Sequence, residues 1–471
     1  MTDSSSTPPR HSLPSTDEIA HAEFSDAPDD ERPTGASADV ADVTHQIDTS
    51  DSDVSARSHD PYAALRIRDY RFYAIGSFIA AMTAQMLDVA VAWEISERVG
   101  QVRGSRDAAL ALGYVGLVLA LPVIFFALPA GHVADRFDRR RVVLLTLAIS
   151  AVGSIALAGI SYTHAPISWV YACLFALGVA NSFRGPALGA MLPQLVPDDL
   201  LANAVTWNSS RWQTASMMGP ALGGMLIAAT HSYVTIYLLQ ALGTLLFIGF
   251  LLPVRPREIV RNEEGLSWES LIAGLRFVRS SNLILATLTL DMFAVLLGGA
   301  VMLLPIYARD ILHVGAAELG WLRAAPAVGA LLMGLTLAHL PPMRRAGRAL
   351  LWAVAGFGLA TIAFGLSRNF WFSLAMLFLT GMFDNISVVV RHTLVQVLTP
   401  DNMRGRVAAV NSVFIGSSNE LGGFESGVAA KFLGPVMSVV GGGIGTLIVV
   451  GATALKWPEV RRLRRLDSAR A

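Results

Sequence analysis

The sequence predicts an all-α membrane protein with twelve transmembrane helices arranged as two parallel six-helix repeats. Composition identifies the solvent: of 471 residues, 53% are hydrophobic and 15% charged, against about 25% charged in a soluble chain, and mean hydropathy is +0.50. Hydropathy patterning supplies the count. From Phe72 onward, apolar stretches fall at 72–94, 109–130, 142–162, 166–190, 204–229, 233–253, 283–308, 318–340, 349–366, 370–391, 405–430 and 434–455. Helices of that length suit a hydrocarbon core of ~30 Å. Recurrence supplies the pairing of repeats. LGYV at Leu112–Val115 returns as LGWL at Leu319–Leu322, and PDDL with Asn208-Ser209 returns as PDNM with Asn411-Ser412, at offsets of 207 and 203 residues. Nearly equal offsets in corresponding spans make the repeats parallel, a build in which a central route lies between the halves near the midplane.

Charge orients the helices. The first 60 residues hold fourteen acids and three arginines, leaving 33 basic against 22 acidic groups in the rest of the chain. Such a surplus fits nucleic acid or the cytoplasmic face of a membrane, and the apolar spans choose the membrane. Arginines crowd the turns after the second, sixth and eighth spans (Arg136, Arg139–Arg141, Arg255, Arg257, Arg344, Arg345, Arg348) and the C-terminal tail, while the opposite turns carry mainly Arg98, Arg103, Arg106, Arg309 and Arg368. An even count then places both termini in the cytoplasm. The expected organisation is an acidic tail at 1–60, disordered by its Ser, Thr, Pro and Asp content, and a first half at 61–253. A linker at 254–282 follows, then a second half at 283–455 and a basic tail at 456–471. The tail has no apolar core of the kind a signal peptide needs. Within the linker, WESLIAGLRFVRS sets Trp268, Leu271, Ile272, Leu275 and Val278 on one face of an amphipathic helix, expected to lie on the inner leaflet.

Intramembrane polar groups are the functional candidates, since each costs several kcal/mol unless it faces a wet cavity or a partner. In the first span Ser77, Ala81, Gln85, Asp88 and Ala92 form one stripe expected to face the pathway. In the fifth, Asn208, Arg211 and Ala215 share a face. Asp291, Asp384, Glu420 and Glu425 complete the set. Asp88 and Asp291, each isolated in an apolar run, lead as proton-coupling sites; the alternative is an ion pair of either with Arg211. Arg184 and Arg391 are read as snorkelling span ends. Scattered histidines lack metal-ligand spacing, Gly441–Gly443 lacks the lysine of a phosphate loop, and no nucleophile stands beside a base. Neither an enzyme, a cofactor nor a metal is expected. Cys173 is the single cysteine, so disulfides play no part.

The stretch GHVADRFDRRRVVLL at Gly131–Leu145 follows the second span. Its Gly131, Asp135, Arg136, Arg139 and Arg140 resemble the major facilitator superfamily signature G-x-x-x-D-R-x-G-R-R, with Asp138 where the family carries glycine. The resemblance implies a conformational latch: Gly131 permits close helix approach, and Asp135 accepts from the N-terminal amides of the eleventh span when the cytoplasmic side closes. In the fifth span, Gly219, Pro220, Gly223 and Gly224, following Ala215, resemble the superfamily's antiporter motif. Within the superfamily, LRIRDYRFYAIGSF, GLRFVRSSN, DMFAVLLGGAVMLLPIYARDILHVG and SSNELGGFESG resemble the bacterial transmembrane secretion effector group, which includes the enterobactin exporter. The resemblance implies a secondary transporter of the bacterial cytoplasmic membrane, a monomer exporting a small, partly apolar siderophore or drug against protons. The alternatives are an uptake symporter on the same fold and a membrane interaction or receptor protein.

Overall fold

The computed structural model describes residues 60–257, 268–341, 343, 345–400 and 403–463. Most of the acidic tail, residues 258–267 of the linker and the last eight residues, with their arginines, lie outside that set. We number the long helices α1 (Arg68–Arg103), α2 (Ser105–Arg136), α3 (Arg139–Tyr162), α4 (Ile167–Leu195), α5 (Leu201–Thr230) and α6 (Tyr233–Leu251). After the linker helix Trp268–Ser280 come α7 (Asn282–Ile311), α8 (Ala316–His339), α9 (Ala346–Leu366), α10 (Phe370–Leu398), α11 (Arg404–Leu433) and α12 (Pro435–Lys456). No strand occurs among the described residues.

Ten of these helices are long and apolar enough to cross a membrane. The two others, α5 and α11, are as long at 30 residues. They miss on composition, because Asn208, Arg211 and Gln213 interrupt one and Asn419, Glu420 and Glu425 the other.

Large apolar side chains point outward: Leu145, Val152, Trp352 and Ile448 are all exposed. Hydroxyls point inward and bond along their own helices. Ser150 Oγ donates to the Thr146 carbonyl at 2.9 Å, Ser154 Oγ to Ser150 at 2.9 Å and Thr446 Oγ1 to Gly442 at 3.0 Å. Lipid is as apolar as leucine, so side-chain packing and satisfied polar groups drive helix association here, not water exclusion.

The first six helices contact the last six chiefly through two crossings, α2 with α11 and α5 with α8. Both are built on glycine. A Cβ on Gly427 would lie 2.5 Å from the Cα of Gly113, and one on Gly320 would lie 2.5 Å from the Pro220 carbonyl oxygen. The backbones therefore touch directly.

Polar ties reinforce the same end of the molecule, opposite the Gly131–Leu145 turn. There α7 breaks at Gly298-Gly299 and ends in a π-helical turn at Tyr307–Ile311, in which Leu312 N donates to the Tyr307 carbonyl at 2.8 Å. The wide turn delivers Arg309 and Asp310 to α1 and α2. Arg309 Nη1 donates to the Ser96 carbonyl, Ser105 Oγ donates to Asp310 Oδ2 at 2.5 Å, and Lys431 Nζ of α11 donates to Asp107 Oδ1 of α2. We call this set the clamp.

The linker helix departs from the expected membrane-surface role on one side. Val278 is 2% exposed and packs on Val407 and Val410 of α11, and a Cβ on Gly274 would lie 2.8 Å from the Arg406 carbonyl oxygen. Glycine admits the helix onto protein, leaving Ile272, 50% exposed, and Leu275 outward. The side chains of Trp268 and Leu271 lie outside the described set.

The crossings yield a prediction. In a Cys173→Ser background with a reporter cysteine at Ala92, which is 5% exposed on the cavity wall, Gly427→Leu raises labelling by an impermeant maleimide added on the clamp side several-fold. Unchanged labelling would show that the glycine crossing does not hold this end closed.

Candidate functional site

A cavity of about 560 Å³ lies mainly among α1–α6 and is closed by Met302 of α7, Arg323 of α8 and Glu420 of α11. All five residues of the first-span stripe, Ser77, Ala81, Gln85, Asp88 and Ala92, line it. The helical period puts them there, since positions three to four apart share a face. Gln85 Nε2 donates to Ser216 Oγ of α5 at 3.1 Å, holding α1 against α5. Gly219 and Gly223 make that approach possible: their missing Cβ atoms would lie 2.5 Å from Gln85 Cβ and 2.9 Å from Met86 Cα. Gly224 faces the other way, onto Ala316 and Gly320 of α8. The stretch from Ala215 to Gly224, with Pro220 inside it, is thus the surface where α5 meets one helix of its own half and one of the other.

Asp88 is enclosed by protein yet exposed to the cavity, and Glu420 is half-buried across from it. Arg323 lines the same cavity and is within electrostatic reach of both, and the two acids are within reach of each other. Its Nη1 is buried without a hydrogen-bond partner. Sequence reading passed over Arg323 although it satisfies the criterion that singled out Arg211, an arginine well inside an apolar span.

Arg211 does not pair with Asp88 or Asp291. Its Nη2 donates to Asn208 Oδ1 one turn back, and its guanidinium lies 5.5 Å from the centre of the Tyr73 ring. Nor does Arg184 snorkel. The helix α4 runs on to Leu195, so Arg184 sits three turns inside, facing the cavity, with Nη1 donating to Ser150 Oγ at 3.1 Å and Nη2 to Asn181 Oδ1 at 2.7 Å.

Asp291 is not isolated and lies away from this cavity. Its carboxylate forms an ion pair with Arg391 of α10, the two side chains 8% and 4% exposed. Arg391 is therefore a buried partner and not a snorkelling end; α10 continues to Leu398, a further two turns. Asp384 sits beside the pair, sharing a small void with Asp291, Phe357, Phe383 and Ser387. Glu425 lies elsewhere, half-buried, with Ser426 Oγ 3.4 Å from its Oε2. The eight candidates are thus divided: Asp88, Gln85, Arg211 and Glu420 line the cavity, Asn208 supports Arg211, and Asp291, Asp384 and Glu425 do not line it.

In the Gly131–Leu145 turn, Gly131 is buried, Asp135 half-buried and Arg136 exposed. Arg139 is half-buried at the first position of α3. Asp138, standing where the signature has glycine, caps α3: its Oδ1 accepts from Arg140 N at 3.0 Å and its Oδ2 lies 3.3 Å from Arg141 Nε. An N-cap aspartate replaces the conformational freedom of glycine with a hydrogen bond to an otherwise orphaned amide. Arg140 reaches across to the end of α6, with Nε donating to the Leu251 carbonyl at 3.2 Å and Nη2 to that of Leu252. A cation on helix C-terminal carbonyls is favourable placement. His164, His231 and His313 occupy left-handed positions at turns, with φ of 50° to 52°, and among the described residues no group of three or more metal-ligating side chains gathers.

Long helices packed around a cavity that holds five charged side chains have the architecture of a transporter of the major facilitator type. A model of the transmembrane secretion effector family matches residues 59–470, and the chain belongs to that family. Enterobactin exporters from Shigella boydii serotype 18 and Escherichia coli O1:K1 are each 28% identical to it over 407 residues, covering 84% of this chain and 93% of the relative. Solved structures share the fold. A bacterial homologue of the human lysosomal transporter Spinster, in an inward-facing and unoccupied conformation, superimposes with a TM-score of 0.63 at 15% identity, covering 84% of this chain and 98% of that one. A bacterial homologue of the iron transporter ferroportin, in an inward-facing state, gives 0.61 at 17% identity, covering 83% and 99%.

The buried pair yields a prediction. Asp291→Asn strands the Arg391 charge and lowers stability by about 3–5 kcal/mol, read as a fall in detergent-solubilised unfolding temperature. The double variant Asp291→Leu/Arg391→Met recovers most of that loss. A single variant as stable as the parent would remove the pair from the structural account.

Proposed function

We propose that the protein is a proton-coupled exporter that moves a small, partly apolar molecule such as a siderophore or drug outward by alternating access, as a monomer of twelve spans with both termini in the cytoplasm. The observation that carries this reading is the meeting of Asp88, Arg323 and Glu420 in one cavity, on helices drawn from both halves. Two carboxylates share a single guanidinium, so one of them lacks a full counter-charge in a medium of low dielectric. A proton supplies it at little structural expense. Because Asp88 belongs to α1 and Arg323 and Glu420 to the second half, rocking the halves changes which acid the arginine neutralises. Proton uptake and release are thereby tied to the direction the cavity faces, and the two states stay close enough in free energy to exchange. Besides Asp88, Arg323 and Glu420, the charged groups lining this cavity are Arg184 and Arg211, and its neutral polar groups include Gln85, Gln240 and Thr244.

The outward direction is supported by the glycine-rich surface of α5 and by relatives named as exporters. The Asp135 turn serves as the opposing latch: when the clamp end opens, Asp135 meets the N-terminal amides of α11 and closes the arginine-rich side. Such a contact biases the equilibrium by about 1–2 kcal/mol.

Transport into everted membrane vesicles is the test. Substrate accumulates under an imposed pH gradient and is lost when an uncoupler dissipates it; accumulation indifferent to the uncoupler would overturn proton coupling, and accumulation in intact cells would overturn export. Asp88→Asn and Glu420→Gln each lower flux at least tenfold, about 1.4 kcal/mol in the barrier, and flatten its pH dependence. In the same vesicles Asp135→Asn slows turnover with little change in substrate affinity; inverted topology in that variant would leave the turn a purely orienting signal.

A further inference from the structure

We propose that the transported molecule is an organic anion, an oxyanion-bearing group on an apolar or aromatic body, and that Arg184 and Arg211 are the residues that select its charge. The inference rests on the transport reading above and adds the substrate's sign.

Five charged side chains line the cavity: Asp88, Arg184, Arg211, Arg323 and Glu420. They fall into two groups by depth. A helix rises 1.5 Å per residue, so Arg184, eleven residues before the end of α4, and Arg211, ten after the start of α5, each stand roughly 15 Å from the α4–α5 turn. Asp88 is twenty residues into α1 and Glu420 sixteen into α11, roughly 30 and 24 Å from their arginine-rich ends. The carboxylates thus stand deeper, with Arg323. The two shallower cations have no carboxylate partner among the described residues: Arg184 is held by Ser150 Oγ and Asn181 Oδ1, and Arg211 by Asn208 Oδ1 and the Tyr73 ring. Arg211 Nε is buried with no hydrogen-bond partner.

A guanidinium removed from water is costly until an anion with matching geometry meets it, and neutral amide and hydroxyl acceptors meet it only partly. Asn181 and Asn208 orient the two planes while leaving the positive charge available. Around them the wall is apolar, with Leu119, Val123, Leu177 and Leu188, and Trp212 beside Arg211 offers an aromatic face. The lining carries three cations against two carboxylates, and protonating either acid widens the excess. A cation entering from the arginine-rich end would pass Arg184 and Arg211 before reaching a carboxylate. An oxyanion gains bidentate hydrogen bonds there, the interaction for which arginine is best shaped. The volume, about 560 Å³, falls within the range of sites for drug-sized ligands, roughly 300–1,000 Å³.

The test is equilibrium binding of three probes on one skeleton to the purified full-length protein in detergent: 2-naphthoate, 2-naphthamide and 2-naphthylmethylammonium. Naphthoate binds at least tenfold more tightly than the amide and the ammonium weakest. Arg184→Gln and Arg211→Gln each raise the naphthoate dissociation constant about tenfold without moving that of the amide, and Arg211→Lys, which keeps the charge, falls between. Preference for the ammonium probe, or naphthoate affinity unchanged in both glutamine variants, would overturn the proposal. Should the glutamine variants fail to fold, the ranking of the three probes on the parent protein decides the matter alone. Because binding is read with no gradient, anion selection without uncoupler-sensitive accumulation in vesicles would overturn the exporter reading and leave this one standing. Gradient-driven accumulation of cationic probes, indifferent to both arginines, would do the reverse.

Discussion

In hydrocarbon a charged side chain costs several kcal/mol unless it finds a partner or water, and the described helices meet that constraint in three ways. Asp291 and Arg391 meet it by pairing where both side chains are buried and their charges cancel. Asp88, Arg323 and Glu420 meet it by sharing a cavity that lies mainly among α1–α6 and to which α8 and α11 contribute. Arg184 and Arg211 meet it by facing that cavity with neutral acceptors at their backs. The first arrangement is fixed and contributes rigidity. The other two are open to change, because a proton or a ligand can alter what each charge sees, and a transporter needs its alterable charges where water reaches them.

The two ends of the molecule answer to the same constraint differently. At the clamp end, Lys431, Asp107, Arg309 and Asp310 sit at helix ends, each partly exposed, so breaking their contacts exchanges protein partners for water at modest cost. At the arginine-rich end, Asp138 caps α3 and Arg140 covers the end of α6, fastening helices of the same half to one another. On the rocking motion proposed above, each half would move with its own helices fastened, and the change of direction would be a choice between two sets of polar contacts that water can replace.

Much of this was legible in the sequence because helical periodicity and the hydropathy of spans are local properties. The stripe from Ser77 to Ala92 reads directly from its spacing, and all of it lines the cavity. Partners were not legible. Nothing in an apolar run announces that Asp291 meets a side chain one hundred residues onward, and an arginine near a predicted span end looks like a snorkelling one until the helix proves longer than its apolar core, as α4 and α10 do. Arg323 was within reach of the reasoning that found Arg211, but a span's average hydropathy hides a single charge. Asp138 looked like a defect in a glycine position and is a cap, since two residue types satisfy the same turn by different means.

The glycine crossings between the halves carry a kinetic consequence. Where Gly113 meets Gly427 and Gly224 meets Gly320, backbone lies on backbone, and beside the first crossing the Tyr114 and Phe424 rings meet with centroids 6.2 Å apart. Interdigitated side chains must change rotamer to disengage, and a dense interior resists that motion. Glycine faces carry fewer side chains that must rearrange before they separate. On the alternating-access reading proposed above, the rate of cycling then rests on how readily the polar ties across the crossings, those of the clamp and Gln213 Nε2 on the Ala327 carbonyl at 2.9 Å, exchange their partners for water.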